Sequence, residues 1–189
     1  MFDVDDLIDR CRQARAETEP RRAIREVLDE VLARPAEVAD VLRPSEGGLT
    51  LLHRSDDLTV VDVVWAPGME IYPHDHRMWA AIGIYAGAED NTFYRRAAPG
   101  SGDIKESGGT RLDTGATILL GDDTIHSVSN PRRGLTGAIH VYGGDFVAKP
   151  RSQWGPGPRE ERPYDVEEVQ RQFAEANERW QATAAPSDP

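Results

Sequence analysis

The sequence predicts a mainly β protein, a barrel or sandwich of short strands with helices before and after it. Three observations carry this. Residues 49 to 147 hold short runs of β-branched and aromatic side chains, cut by Gly, Pro, Asn and Asp. Residues 3 to 43 instead space their apolar side chains by three and four. Helical spacing returns after Asp165.

Asp3 is placed to cap a first helix, whose stripe is Val4, Leu7, Ile8 and Cys11. Ile24, Val27, Leu28, Val31 and Leu32 form a second stripe, opened by Pro20 and closed before Pro35. Val38, Val41 and Leu42 suggest a short third helix. These stripes read as faces packed on a sheet. The strand signals follow at Leu58 to Trp65, Ala80 to Tyr85, Thr92 to Arg95, Thr117 to Leu120 and Leu135 to Tyr142. Glu89, Asp90 and Asn91 read as a hairpin turn, and Pro99 to Asp103 with Glu106 to Gly109 as a loose loop region. Gln153 to Pro158 reads as a loop. A last helix is expected from Asp165, with Glu168 three residues on as in a capping box and Val166, Val169, Phe173, Ala176 and Trp180 on its apolar side. The expected organisation is a single domain over 1–189: a helical segment at 1–45, a barrel at 46–150, a loop and helix at 151–182, and a disordered tail at 183–189.

Composition narrows the function classes. The formal net charge of −11 argues against nucleic acid or an anionic membrane as partner, since both require a basic surface. A lone cysteine, Cys11, excludes an internal disulfide framework and fits a reducing cytoplasm. The acidic start, Met1-Phe-Asp-Val-Asp-Asp6, has no apolar run and reads as neither signal peptide nor membrane span. The expected localisation is cytoplasmic. Oligomeric state is left open by the sequence, a homo-oligomer included.

The histidines carry the chemistry. In an extended strand residues i and i+2 share a face, so His74 and His76 of Pro73-His-Asp-His76 project together. His126 can complete a three-nitrogen face around one metal ion, and imidazole suits iron, zinc, copper and nickel alike. The competing reading is a polar surface turn. Ala138, His140 and Tyr142 alternate with Ile139 and Val141, so one set faces the interior. A buried histidine and tyrosine two residues apart can satisfy each other's hydrogen bonds, as a plain core pair or as a pair that positions the hydroxyl over the metal. His140 as a fourth ligand is a further alternative.

These spacings resemble the two cupin motifs: Gly68, five residues, His74, one residue, His76; then Gly115, five residues, Gly121, and His126, three residues, Asn130. The resemblance implies a double-stranded β-helix, a jelly-roll barrel with glycines at its corners and histidines on its inner wall. Ala80 and Ala81 stand where the first motif usually has a glutamate ligand, which implies a site of three histidines alone. Further text is similar to the bacterial thiol dioxygenases, the cupins grouped with cysteine dioxygenase and 3-mercaptopropionate dioxygenase: Val64-Trp-Ala-Pro-Gly68, Pro73 to Trp79, Gly87-Ala-Glu89, Ile125-His-Ser-Val-Ser-Asn130 and Ile139-His-Val-Tyr-Gly143. That resemblance spans residues 58 to 151. It implies non-haem Fe(II) on His74, His76 and His126, and a serine–histidine–tyrosine relay ending at Tyr142. The relay serine is Ala138 here, and no glutamine stands near Gly48 or Leu49 to hold substrate. Arg151 matches the arginine that meets the substrate carboxylate in the mercaptopropionate enzymes; its plainer reading is a surface arginine.

The expected activity is therefore Fe(II)-dependent dioxygenation of a small thiol acid to a sulfinate, with His74, His76 and His126 as ligands, Tyr142 and His140 as catalytic pair, and Arg151 for substrate. Other divalent first-row metals stay open. The expected partners are a small molecule and dioxygen. Two alternatives remain: other oxidative chemistry on the same metal, such as carbon–carbon cleavage of a diketone, and a cupin that binds metal or ligand without catalysis.

Overall fold

A computed structural model describes residues 1–155 and 160–184. Three helices come first: α1 (Val4–Arg15), α2 (Pro20–Val31) and α3 (Pro35–Leu42). Asp3 caps α1 by accepting from the Asp6 amide at 2.9 Å, and prolines open α2 and α3, where a missing N–H costs nothing. Nine strands follow: β1 (Gly48–Arg54), β2 (Thr59–Trp65), β3 (Glu70–Asp75), β4 (Ala80–Ala86), β5 (Ala88–Arg96), β6 (Ile104–Asp113), β7 (Thr117–Leu120), β8 (Ile125–Ser129) and β9 (Thr136–Tyr142). A short pair, β10 (Ser152–Trp154) and β11 (Glu161–Pro163), precedes α4 (Val166–Ala184).

The strands form two antiparallel sheets, ordered β1-β2-β9-β4-β7 and β11-β10-β3-β8-β5-β6. Their inner faces enclose one core, built around Val61, Val63, Trp65, Ile82, Val128 and Tyr142. The outer face of the five-stranded sheet is covered by the N-terminal helices. Leu7, Cys11, Ile24, Leu28, Leu32 and Val38 pack there on Val60, Trp79, Ala81, Ile139 and Val141. Burial on both faces explains why β2 and β9 read as nearly unbroken apolar runs. Gly83 lies under this layer, where an added Cβ would come within 2.3 Å of the Leu32 side chain.

Several sequence readings are corrected. Glu89, Asp90 and Asn91 are not a turn; they lie in β5, paired with β6 and β8. Glu106 to Gly109 is not a loop but part of β6, the edge of its sheet. An edge strand has one free side and tolerates exposed glycines that a central strand would not. Ser152 to Trp154 forms β10 and extends the larger sheet, with Gln153 opposite His74; the rest of the expected loop, 156–158, lies outside the described residues. The capping box at α4 is only half made. Asp165 accepts from the Glu168 amide at 3.0 Å, but its own amide donates to Gln153 Oε1 at 2.7 Å rather than to Glu168. Val169, Phe173 and Ala176 are buried, whereas Val166 is exposed. Thr183 and Ala184 belong to α4, and the remainder of the expected disordered tail, 185–189, lies outside the described residues. Among the described residues no helix is long and apolar enough to cross a membrane.

Candidate metal centre

β3 and β8 pair antiparallel with His74 directly opposite His126, and His76 comes immediately after β3, two residues beyond His74. Arg77 then takes a left-handed conformation (φ 52°), which turns the chain away. The three rings converge. His74 Nε2 and His76 Nε2 are 3.1 Å apart, and His126 Nε2 and His76 Nε2 are 3.3 Å apart. Nitrogens about 2.0–2.1 Å from a common ion, at angles between octahedral and tetrahedral, lie about 2.9–3.4 Å from one another. The observed spacings fall in that range. Ligand atoms of all three residues lie within 4.8 Å of one another.

Tautomers decide whether lone pairs or protons face that point. His74 Nδ1 lies 2.9 Å from the Tyr72 carbonyl oxygen, which can only accept, so Nδ1 carries the proton and Nε2 its lone pair. His126 is set through two side chains. The Asn91 amide nitrogen donates to Glu89 Oε1 at 2.8 Å, which turns Asn91 Oδ1 to His126 Nδ1 at 2.7 Å. His126 Nδ1 is thus the donor and its Nε2 lone pair also faces inward. His76 Nδ1 is buried with no hydrogen-bond partner among the described residues. Burial, the largest cause in each case, lowers the pKa of all three: His74 to about 4, and His76 and His126 well below the ordinary histidine value. Neighbouring imidazoles lower His76 and His126 further. Neutral, convergent imidazoles fit a divalent first-row metal.

The opposite sheet supplies the rest of the site. His140 and Tyr142 of β9 face inward while Ile139 and Val141 pack under the helices. His140 Nδ1 and the Tyr142 hydroxyl are 3.0 Å apart. Tyr142 stands edge-on to His76, with ring centroids 5.1 Å apart, and burial raises its pKa. His140 does not join the three-nitrogen cluster; its Nε2 instead lies 3.8 Å from Glu89 Oε2.

A small cavity, about 30 Å³, opens on these groups. Its wall is largely apolar, with Leu49, Val63, Ile71 and Val128 from the sheets and Val169 and Phe173 from α4. Phe173 stacks on Trp65, ring centroids 5.5 Å apart. Phe146 and Tyr164 also line it, and Arg151 is held between them, its guanidinium 4.0 and 4.1 Å from their ring centroids. Arg151 also donates to the Phe146 carbonyl at 2.6 Å. The chain after β9 does return to the site, but Arg151 stands against the wall residues and is not one of the groups lining the cavity.

No family model matches the chain. Among solved structures it is similar to a protein from Bacillus halodurans (13% identity, TM-score 0.51, covering 71% of this chain and 89% of that one). Weaker likenesses are to a cupin-family protein with a double-stranded β-helix fold from Methanocaldococcus jannaschii (10% identity, TM-score 0.45, 55% of this chain and 84% of that one) and a cupin-superfamily protein from Desulfitobacterium hafniense (15%, 0.44, 57% and 88%). The fold is the double-stranded β-helix, two antiparallel sheets facing one core. At these identities the likeness speaks to fold alone.

Within this fold the two histidine motifs divide their work. His74, His76 and His126 meet at one point. Asn130 instead clamps a corner: its amide nitrogen donates to the Trp65 and Gly134 carbonyls, and its oxygen accepts from the Arg132 amide and the Thr136 hydroxyl. Asp75, between the two histidines, faces away and accepts from the Ser152 amide at 2.7 Å, tying β10 to β3. Asp122 is a turn residue paired with Arg21. Sequence reasoning missed Glu89 and Asn91 as site residues. The available signal was their spacing of two with Phe93, which marks a common strand face. It also missed Trp65, Phe146 and Tyr164 as cavity wall.

Proposed function

We propose that the protein is a metal-dependent dioxygenase that converts a small thiol acid to a sulfinate, with Fe(II) as its metal. The observation that carries the reading is the three-imidazole point with two lone pairs turned inward by fixed tautomers, set against a buried phenol. His74, His76 and His126 would hold the metal. Iron held there would supply the redox chemistry by which both atoms of dioxygen are added to a thiolate sulfur. Three neutral ligands leave the full charge of a divalent ion to attract an anionic thiolate, where a carboxylate ligand would offset part of it. The aliphatic and aromatic wall excludes water from the reacting groups. Tyr142, bonded to His140, holds a proton at its hydroxyl beside the metal position. Arg151 places positive charge beside the cavity for a substrate carboxylate, which its guanidinium could grip through parallel hydrogen bonds after leaving its stacked position.

One observation favours a second reading. The cavity wall is apolar and Arg151 is not part of it, which suits a small uncharged substrate such as a diketone. Oxygen uptake by iron-loaded protein, measured against thiol acids, aminothiols and diketones, separates the two. Uptake with thiol acids and recovery of the sulfinate supports the first; uptake with diketones alone supports the second. No uptake with any of them, at full iron content, leaves a cupin fold that binds metal without this chemistry.

A further inference from the structure

Glu89 is completely buried behind the site, and the side-chain groups set against its carboxylate among the described residues are nitrogens. Trp65 Nε1 donates to Oε2 at 2.9 Å and Asn91 Nδ2 donates to Oε1 at 2.8 Å. His140 Nε2 lies 3.8 Å from Oε2 and is itself buried with no hydrogen-bond partner among the described residues. Tryptophan offers only a donor, and the Asn91 amide is turned nitrogen-first because its oxygen serves His126. A group that accepts on both oxygens is required here, and a carboxylate is the side chain that does so. A buried, unpartnered ring nitrogen gains most by turning an N–H toward the same carboxylate, across a gap that a small ring adjustment closes. Ala138, the inward neighbour of His140 on β9, has no hydroxyl to offer instead.

We propose that Glu89 is the positioning residue for both halves of the site: through Asn91 it fixes His126 with its Nε2 lone pair toward the metal position, and directly it fixes His140 as the Nε2–H form. The second effect sets the direction of the next bond. With its proton on Nε2, His140 has only a lone pair on Nδ1, so Tyr142 must donate its hydroxyl hydrogen there. The phenol oxygen then turns a lone pair to the cavity. Tyr142 accepts from a substrate N–H, O–H or S–H, and does not donate to a substrate carboxylate. The His126 arm rests on the metal reading given above; the His140 arm does not.

Glu89→Gln keeps the shape and replaces one acceptor with a donor. If the new NH2 faces Trp65 and His140, His140 must move its proton to Nδ1. If it faces Asn91, that amide flips and His126 must move its proton to Nε2, which blocks the metal position. Long-range proton–nitrogen spectra of metal-free protein labelled with 15N-histidine report which nitrogen of each ring is protonated. In the native sequence we expect Nε2–H for His140 and Nδ1–H for His126. In Glu89→Gln we expect one of the two to reverse, with zinc affinity falling about 10- to 100-fold if it is His126. A native His140 protonated on Nδ1 overturns the proposal, and this needs no variant to fold. A folded Glu89→Gln with both rings unchanged overturns it as well. Zinc titration of the native protein tests the metal reading separately, so a native protein that binds no zinc but carries Nε2–H on His140 defeats that reading and leaves the His140 arm standing.

Discussion

His74 and His126 face each other across β3 and β8, register partners whose rings lie 4.7 Å apart. An ion held by both, and by His76 at the end of β3, ties two adjacent strands of the larger sheet together. Metal binding should therefore stabilise the fold, by about 2.7 kcal/mol when free metal stands at a hundred times its dissociation constant. Thermal unfolding of the apo protein with and without added zinc or anaerobic Fe(II) measures this. His126→Ala should abolish the metal-dependent rise in Tm and leave less than one equivalent bound. An unchanged metal content in that variant would defeat the three-histidine reading.

Asn91 acts on the metal only through His126. Asn91→Leu removes the acceptor that holds Nδ1–H, and metal affinity should fall by about 10- to 100-fold while circular dichroism stays native. Isothermal titration of both proteins with the same metal gives the ratio.

Tyr142→Phe keeps the ring and removes the hydroxyl. Metal content should be unchanged, and turnover should slow by about 10²- to 10⁴-fold if the hydroxyl handles a proton in the rate-determining step. Equal turnover would reduce Tyr142 to wall packing.

Arg151→Ala should raise KM for an acidic thiol by about 10- to 100-fold, the cost of losing one charge-assisted contact, and barely change KM for an uncharged thiol of equal length. Similar effects on both would make Arg151 a packing residue between Phe146 and Tyr164, and would shift weight to the uncharged-substrate reading.

Acid should destabilise the metal-free protein through the same rings. Their folded pKa values lie below the unfolded value, so the unfolded chain binds more protons and stability falls as pH drops from about 6.5 toward the folded value, about 4 for His74. Within that window each ring contributes a slope of up to about 1.4 kcal/mol per pH unit, and above it the contribution is constant. Urea midpoints from pH 7.5 to 4.5 should show the loss, and replacing His76 by Gln should reduce the slope by about one ring's share.

His74 and His76 were legible because a strand has a fixed period, and two ligands at i and i+2 need no tertiary information. His140 and Tyr142 were legible for the same reason. Glu89 and Asn91 were not. Polar residues beside a Gly-Ala step have the composition of a turn, and only the three-dimensional partners, Trp65, His126 and each other, allow them to be buried. The edge strand β6 was hidden by its glycines. Gly109 is needed there because a Cβ would come within 2.8 Å of the Asn91 carbonyl oxygen on the neighbouring strand β5, a contact that only the hairpin register reveals. Chain connectivity suggests Arg151 near the site, but whether it points into the cavity depends on Phe146 and on Tyr164, which lies beyond β11.

The cavity's roof comes from the last helix. Val169 and Phe173 close over Trp65, and α4 is anchored through Gln153, whose amide donates to Glu168 and whose oxygen accepts from the Asp165 amide. Every histidine of the centre precedes this helix in the chain, and is therefore synthesised before it. For that interval the nascent chain would offer its ligands in an open trough, and the order of events becomes load first, seal afterwards. A chain cut before Ser152 would keep all three rings and lose the chamber, so it should exchange metal faster than the intact protein while still recognising it.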